Sequence, residues 1–281
     1  MAKKHDILWL DTADSTNDEA RRRISDLDNL SVLSALEQTA GRGQRGNGWS
    51  SQRGESLTFS IILKDAGIQA RDQFILNEIA SLSVVEFLSS YGITAKIKWP
   101  NDIYVGSQKI CGILIENSLR GNHLTSSIIG IGLNINQRNF DVNLINPTSM
   151  ILCHESDVAA FDIRRCLEEF MEIFQRNLDK RHRRSELREA YLSHLWRLNE
   201  AHRYIDRTNL PAGHITGPVD PVKQGNQPSE RNAEGREFTG IIRKVSDIGT
   251  LIVEDAGTGH KIDFGFKDIA YILQDTDFLT R

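Results

Sequence analysis

The stretch AKIKWPNDIYVGSQKICGILIENSLRGNHLTSSIIGIGLNIN, residues 95–136, constrains the fold more than any other part of the chain. It holds three short β runs separated only by Gly106-Ser107 and Arg120-Gly121-Asn122. Turns that short join antiparallel strands, because a parallel pair needs a crossover of a dozen or more residues. A sheet built around antiparallel hairpins is therefore expected.

A glycine run upstream has to be reconciled with such a sheet. In AGRGQRGNGWSS, Gly41, Gly43 and Gly46 have the G-x-G-x-x-G spacing of a dinucleotide-binding turn. That turn follows a strand and opens a helix. SVLSALEQ before the glycines reads as a strand, but the chain after them alternates apolar and polar residues from Leu57 to Leu63, which is a second strand. No acidic residue ends a further strand about 20 residues on, as ribose binding requires. Gly46 is followed by Asn47 and Gly48 rather than Lys and Ser/Thr, so a P-loop is excluded as well. What remains is a long glycine loop carrying Arg42, Arg45 and Arg53. Glycines permit close backbone approach and arginines offer forked donors to phosphate or carboxylate. The plainer alternative is a solvated hairpin loop with ordinary surface charge.

Around this centre the sequence orders itself simply. Ile7 to Leu10 reads as a first strand, and Thr16-Asn17-Asp18-Glu19 matches a capping box that starts a helix through EARRRI. Phe74, Ile79, Leu82, Val85 and Leu88 recur at helical spacing, with Gly92 where a C-cap belongs. Asp162 to about Arg197 looks helical, with Leu167, Phe170, Ile173 and Phe174 as its apolar stripe. Residues 206–235 are rich in Pro, Gly, Asn and Gln and read as a polar linker or loop. EFTGIIRKV, TLIVEDA and HKIDFGF then follow as short strands with turn signals between them, the pattern of a small β-barrel. The expected order is an α+β domain over 1–205, with a mixed, largely antiparallel sheet and helices packed on it, then the linker, then an all-β domain over 236–281.

Bulk properties exclude several function classes. With 281 residues, 39% hydrophobic and 26% charged, the chain is globular and has one or two domains. A formal net charge of −4 gives no basic field for nucleic acid. No apolar run is long enough to span a membrane, and MAKKHDILWLD lacks the core of a signal peptide. Cys111, Cys153 and Cys166 are odd in number and lack zinc spacing. A reduced, cytoplasmic protein is expected.

Taken in order, the glycine loop, Lys98-Trp99-Pro100-Asn101-Asp102, Lys109-x-x-Gly112-Ile113-Leu114 and Gly130-Ile131-Gly132-Leu133-Asn134 make the chain resemble the biotin protein ligases. Ser15-Thr16-Asn17 and Gln38 stand where that family keeps biotin-contacting residues. The resemblance covers residues 6 to about 200, and the C-terminal β segment is similar to the family's small SH3-like domain. It implies a class II synthetase-like catalytic domain. It also implies a two-step reaction, in which biotin attacks the α-phosphate of ATP to give biotinyl-5′-AMP, and the acyl group then passes to the acceptor lysine of a biotin carboxyl carrier domain. ATP and Mg²⁺ are the implied cofactors. A homodimer follows by analogy with members that pair edge strands. No helix-turn-helix precedes Ile7, so the DNA-binding repressor form is not expected.

Two anions must approach each other in the first step, so fixed positive charge is needed around them. By resemblance Lys109 and Arg42 meet the carboxylate and the phosphate. The implied biotin contacts are Ser15, Thr16, Asn17, Gln38, Arg42, Gly43, Gln44, Lys109, Gly112, Gly130 and Gly132. Those for ATP are Arg42, Arg45, Trp49, Asn101 and Asn134, with Asp102 for Mg²⁺. Each has a plainer alternative. Lys109 read alone is a solvated turn lysine; Ser15-Thr16-Asn17 is a helix cap; Asp102 shapes the turn after Pro100; Trp49 anchors a loop; Trp99 is core. Glycines inside strands weaken them unless something lies close against the backbone, and a flat bicyclic ligand is one such thing. Gln44 and Asn47 stand where the commonest family loop has arginines, which leaves two charges fewer around the intermediate. A lipoate ligase shares the chemistry, but its usual arginine-glycine-glycine-glycine run is missing. A non-catalytic biotin-binding regulator is disfavoured because Lys109, Arg42 and Asp102 are all present.

Overall fold

The computed structural model describes residues 6–155, 158–208 and 235–273. It divides into two compact units, one up to Trp196 and one from Arg197.

The first unit is a seven-stranded sheet. In chain order the strands are β1 (Ile7–Ala13), β2 (Val32–Gln38), β3 (Ser56–Lys64), β4 (Lys96–Lys98), β5 (Asp102–Val105), β6 (Gln108–Arg120) and β7 (His123–Asn134). They lie side by side as β1-β2-β3-β7-β6-β5-β4. Only β1 and β2 run parallel, joined by helix α1 (Thr16–Arg22); every other pairing is antiparallel. The first of the three β runs splits at Trp99-Pro100-Asn101 into β4 and β5.

The alternation in β3 sorts the sheet into two unlike faces, because successive strand residues point to opposite sides. Leu57, Phe59, Ile61 and Leu63 are buried on one side. There Phe59 meets Phe170 edge-on at 5.3 Å, and Phe170 meets Phe87 at 6.1 Å. These two rings belong to α3 (Ile163–Asp179) and α2 (Ile75–Ser90), which cover this face. The other side carries Ser56, Thr58 and Ser60. Directly opposed residues share a face, so Thr58 lies in a row with Gly132, Gly112 and Asp102, and Ser60 in a row with Gly130 and Leu114. Helix α1 covers one end of this second face, where Ala20 packs with Leu33, Ile62 and Ile128.

Three expectations need adjustment. The start of α1 is Ser15 rather than a Thr16 capping box, and the carboxylate of Glu19 pairs with Arg22 and Arg23 instead. The predicted long helix from Asp162 breaks at Lys180–His182, and α4 (Arg184–Ser193) follows. Ala201–Asp206, assigned from sequence to the first domain, forms strand β8 and pairs with the second sheet.

That second sheet holds β8, β9 (Arg236–Val245), β10 (Leu251–Asp255), β11 (Lys261–Phe264) and β12 (Ile269–Tyr271), all antiparallel, in the order β11-β10-β9-β8-β12. Tyr204, Ile242, Val253 and Phe264 are buried in it. This five-stranded antiparallel sheet is consistent with the small SH3-like domain expected, although its end strands β11 and β12 do not pair with each other among the described residues. Most of the predicted linker, residues 209–234, lies outside the described residues.

Candidate active site

The Ser/Thr/Gly face of the first sheet is where the predicted site residues converge. Ser15, Thr16 and Asn17 are carried in by the start of α1 and are all buried. The backbone N–H of Thr16 donates to Gln38 Oε1 at 2.8 Å, which ties α1 to the end of β2. Asn17 lies flat on the sheet. Its Nδ2 donates to Glu116 Oε2 at 2.8 Å and Leu114 O at 3.3 Å, and its Oδ1 accepts from Ser60 Oγ at 2.6 Å. The Ser60 hydroxyl is also 2.8 Å from Thr16 Oγ1. A Cβ at Gly130 would overlap Asn17 Oδ1, so this glycine in β7 makes room for the amide.

One row along, a Cβ at Gly132 would run into the Trp49 indole, and one at Gly112 would crowd both Trp49 and the end of Lys109. The indole therefore rests on a floor of two opposed glycines, with its buried Nε1 lacking a partner. Lys109 Nζ stands 5.8 Å from that ring and 2.7 Å from Asp102 Oδ1. Burial pulls the ammonium's pKa down, but the Asp102 carboxylate more than offsets this and leaves it above its ordinary value. Lys109 is thus a permanent cation at neutral pH with about a third of its side chain exposed.

The glycine loop between β2 and β3 is folded on itself. Trp49 N donates to Gly41 O at 2.8 Å and Gly43 N to Asn47 O at 2.7 Å, around a 3₁₀ turn at Gln44–Gly46. A side chain at Gly41 would strike the Trp49 carbonyl, and Gly46 has φ +82°, so both positions require glycine. The side chain of Arg45 lies outside the described part of the structure.

Three predicted residues point elsewhere. Arg42 turns towards α1 and β6, with Nη2 at 2.8 Å from Asp18 Oδ1 and 3.1 Å from Glu116 Oε2. Asn101 bonds its buried amide to Ile113 O, and Asn134 donates to Thr148 O at 2.9 Å. These two amides fasten their own chain. Trp99 is buried.

Asp102 was the candidate for Mg²⁺. Its carboxylate is held by Lys109, and among the described residues no group of three or more His, Cys, Asp or Glu could hold a metal ion.

Ser60 and Glu116 belong to the site and were missed from the sequence. Both were accessible by alternation: Ser60 shares a face with Thr58, and Glu116 with Gly112 and Leu114.

The face thus has a neutral end of amides and hydroxyls, an apolar middle floored by glycine, and a charged end at Lys109. Such an order suits an elongated molecule with an uncharged polar head and an anionic tail.

Residues 9–134 match the biotin/lipoate A/B protein ligase family. The matched stretch is the part of the chain that carries the site residues from Thr16 to Asn134. Among curated relatives, the bifunctional ligase/repressor BirA of Bacillus subtilis is 40% identical over 109 residues, 38% of this chain and 33% of the relative. The biotin–[acetyl-CoA-carboxylase] ligase of Paracoccus denitrificans is 35% identical over 125 residues, 43% of this chain and 51% of the relative. The chain therefore spans about a third to a half of the length of these relatives. The fold is similar to that of the Aquifex aeolicus biotin protein ligase solved with biotin and ATP, with a TM-score of 0.70, 24% identity and coverage of 95% of this chain and 99% of that one. The Leishmania major enzyme with biotinyl-5-AMP aligns with a TM-score of 0.56 at 21% identity, over 92% of this chain and 98% of that one. Among the described residues, no helix is long and apolar enough to cross a membrane.

Proposed function

We propose that the protein is an ATP-dependent ligase that activates biotin as biotinyl-5′-AMP and transfers it to the lysine of a biotin carboxyl carrier domain. The observation that carries this reading is the order of groups along one sheet face: Thr16, Asn17, Gln38 and Ser60 at one end, Gly130, Gly132 and Gly112 beneath the middle, and Lys109 at the other end. The ureido head of biotin offers a carbonyl acceptor and two N–H donors to the first group, and its carboxylate reaches Lys109. The ligand names of the structural relatives, biotin with ATP and biotinyl-5-AMP, support the same reading.

In the first step a carboxylate oxygen bonds to the α-phosphorus of ATP, the bond from that phosphorus to the β-bridging oxygen breaks, and pyrophosphate leaves. Lys109 lowers the cost of bringing the two anions together, and Asp102 holds its ammonium in place. In the second step the carrier's amine attacks the acyl carbon, loses a proton, and AMP leaves. Magnesium enters this reading as the companion of the nucleotide's phosphates. Edge strand β1, which pairs only with β2 among the described residues, is where a homodimer would pair strands, which sedimentation of the purified protein decides; the outer edge of β4 is already bridged by Leu195.

Incubation with ATP and either biotin or lipoate, followed by pyrophosphate assay, tests the first step. Pyrophosphate release with biotin alone is the expected result; release with lipoate alone, or with neither, overturns the reading. Mass spectrometry of a co-incubated carrier domain then tests transfer.

A further inference from the structure

We propose that Glu116 is a positioning residue of this site, setting the orientation of the Asn17 amide and anchoring the glycine loop through Arg42; this rests on the biotin-activating reading above. Glu116 lies on the site face of β6, two residues beyond Leu114, with its side chain about a quarter exposed. Its Oε2 accepts from Asn17 Nδ2 at 2.8 Å and from Arg42 Nη2 at 3.1 Å, and its Oε1 is 2.6 Å from Arg21 Nη2. Asp18 completes the group, bonded to Arg21 at 2.5 Å and Arg42 at 2.8 Å.

An asparagine amide can sit two ways round, and here only one is satisfied. As placed, Nδ2 faces a carboxylate and a carbonyl, and Oδ1 faces the Ser60 hydroxyl. Turned over, Oδ1 would face Glu116 and Leu114 O, two acceptors with no proton between them. A carboxylate can only accept, so Glu116 permits one orientation, whereas a glutamine in its place could serve either. The Ser60 proton is drawn to Asn17 Oδ1 in turn, and the Ser60 oxygen lies against Thr16 Oγ1. The Glu116 carboxylate, with Leu114 O beside it, thereby fixes which atoms of the neutral end donate and which accept. The same carboxylate holds Arg42, and with it the strand of the loop that carries Trp49 across the glycine floor. Ion pairs this exposed contribute little to stability, so fold stability does not account for the arrangement.

The test uses Glu116→Gln, which keeps size and hydrogen bonding while removing the charge, with Glu116→Ala as the second variant. Calorimetry with biotin in the absence of ATP is expected to show Kd raised about tenfold in Glu116→Gln, with the thermal midpoint within about 2 °C of the parent. In an Asn17→Ala background the same substitution is expected to lose most of its effect on Kd, keeping only the part exerted through Arg42. A Kd within twofold of the parent in both variants, or an equal loss in the Asn17→Ala background, overturns the proposal. A second readout needs no ligand. The Asn17 side-chain amide signals in an ¹⁵N spectrum should shift in Glu116→Gln more than any other asparagine's; if they do not, Glu116 does not orient Asn17. Failure of the parent protein to bind biotin would instead remove the function on which the proposal rests, while the amide spectrum would still report on the positioning.

Discussion

Lys109 brings a positive charge to one end of a face built mainly of serine, threonine, glycine and amide. Its ammonium is held above the ordinary lysine pKa by Asp102 despite burial, so it stays cationic across the neutral range. Lys109→Ala is therefore expected to slow adenylation by about 10²–10³, the usual loss for one fixed electrostatic group at a transition state. Pyrophosphate release in single-turnover conditions measures this, and a rate within about threefold of the parent would remove Lys109 from the chemistry. The glycines make a different kind of demand. Gly130 has no room for a methyl because Asn17 Oδ1 fills the space, so Gly130→Ala forces the amide off the sheet. Overpacking of this kind costs about 1–3 kcal/mol. Urea unfolding is expected to show that loss together with weaker biotin binding. A variant as stable as the parent would mean that the amide moves freely and that Gly130 is there for the ligand instead.

At the level of the elements, the sequence announced what depends on periodicity. Alternation in β3 foretold one buried and one polar face, and the Gly106 and Arg120–Asn122 turns foretold the hairpins, because both are local and repeat with the strand. Gly92 sits at φ +74° directly after α2, as its place in the sequence predicted. What was not legible depends on partners far apart in the chain. The side chain of Arg42 is 74 residues from Glu116, and nothing near Arg42 says that it will turn to that carboxylate rather than towards a phosphate. Likewise β8, just beyond the helical region, is assigned to the first domain until β9, some 30 residues later, supplies its ladder. The long helix was overread because the stripe of α3 continues weakly into α4 across Lys180–His182. The real signal for α3 was at its start, where Asp162 accepts from the N–H groups of Arg164 and Arg165. Asp162→Ala removes this cap and is expected to cost about 1 kcal/mol in stability while leaving adenylation rates unchanged, since α3 lies under the opposite face of the sheet. Chemical denaturation beside a turnover assay checks both halves; slower adenylation at unchanged stability would show that α3 reaches the site.

For the whole molecule, burial and charge set the pH range in which the fold holds. Several carboxylates titrate below their usual values in the folded chain: Asp72 through its bond to Arg184, Glu169 through Tyr91, Glu254 through Arg243, and Asp255 through the N–H of Gly257. A folded-state pKa depressed below the unfolded value contributes stability that is present above the unfolded pKa, here 3.8 for Asp and 4.5 for Glu, and is lost as pH falls through it. The opposite limb comes from buried acids that must stay neutral. Burial pushes the Cys111, Cys153 and Cys166 thiols up from 9.0 and the Tyr91 and Tyr191 phenols up from 10.0. A raised folded pKa contributes stability that is complete below the unfolded value and is lost as pH rises above it, since only the unfolded chain then gives up its proton. Stability should accordingly be flat between about pH 5 and 8.5 and fall on either side. Of these acids the three thiols have the lowest unfolded pKa and so begin the alkaline decline together. Cys111→Ala removes one of these thiols, and although it costs some packing at every pH, the cost does not vary with pH. The urea midpoint of the variant is expected to decline less steeply than the parent's above about pH 9, with Cys153 and Cys166 still contributing. Parallel midpoint curves for the two proteins from about pH 8 to 10.5 would show that the Cys111 thiol ionises as readily inside the fold as outside it.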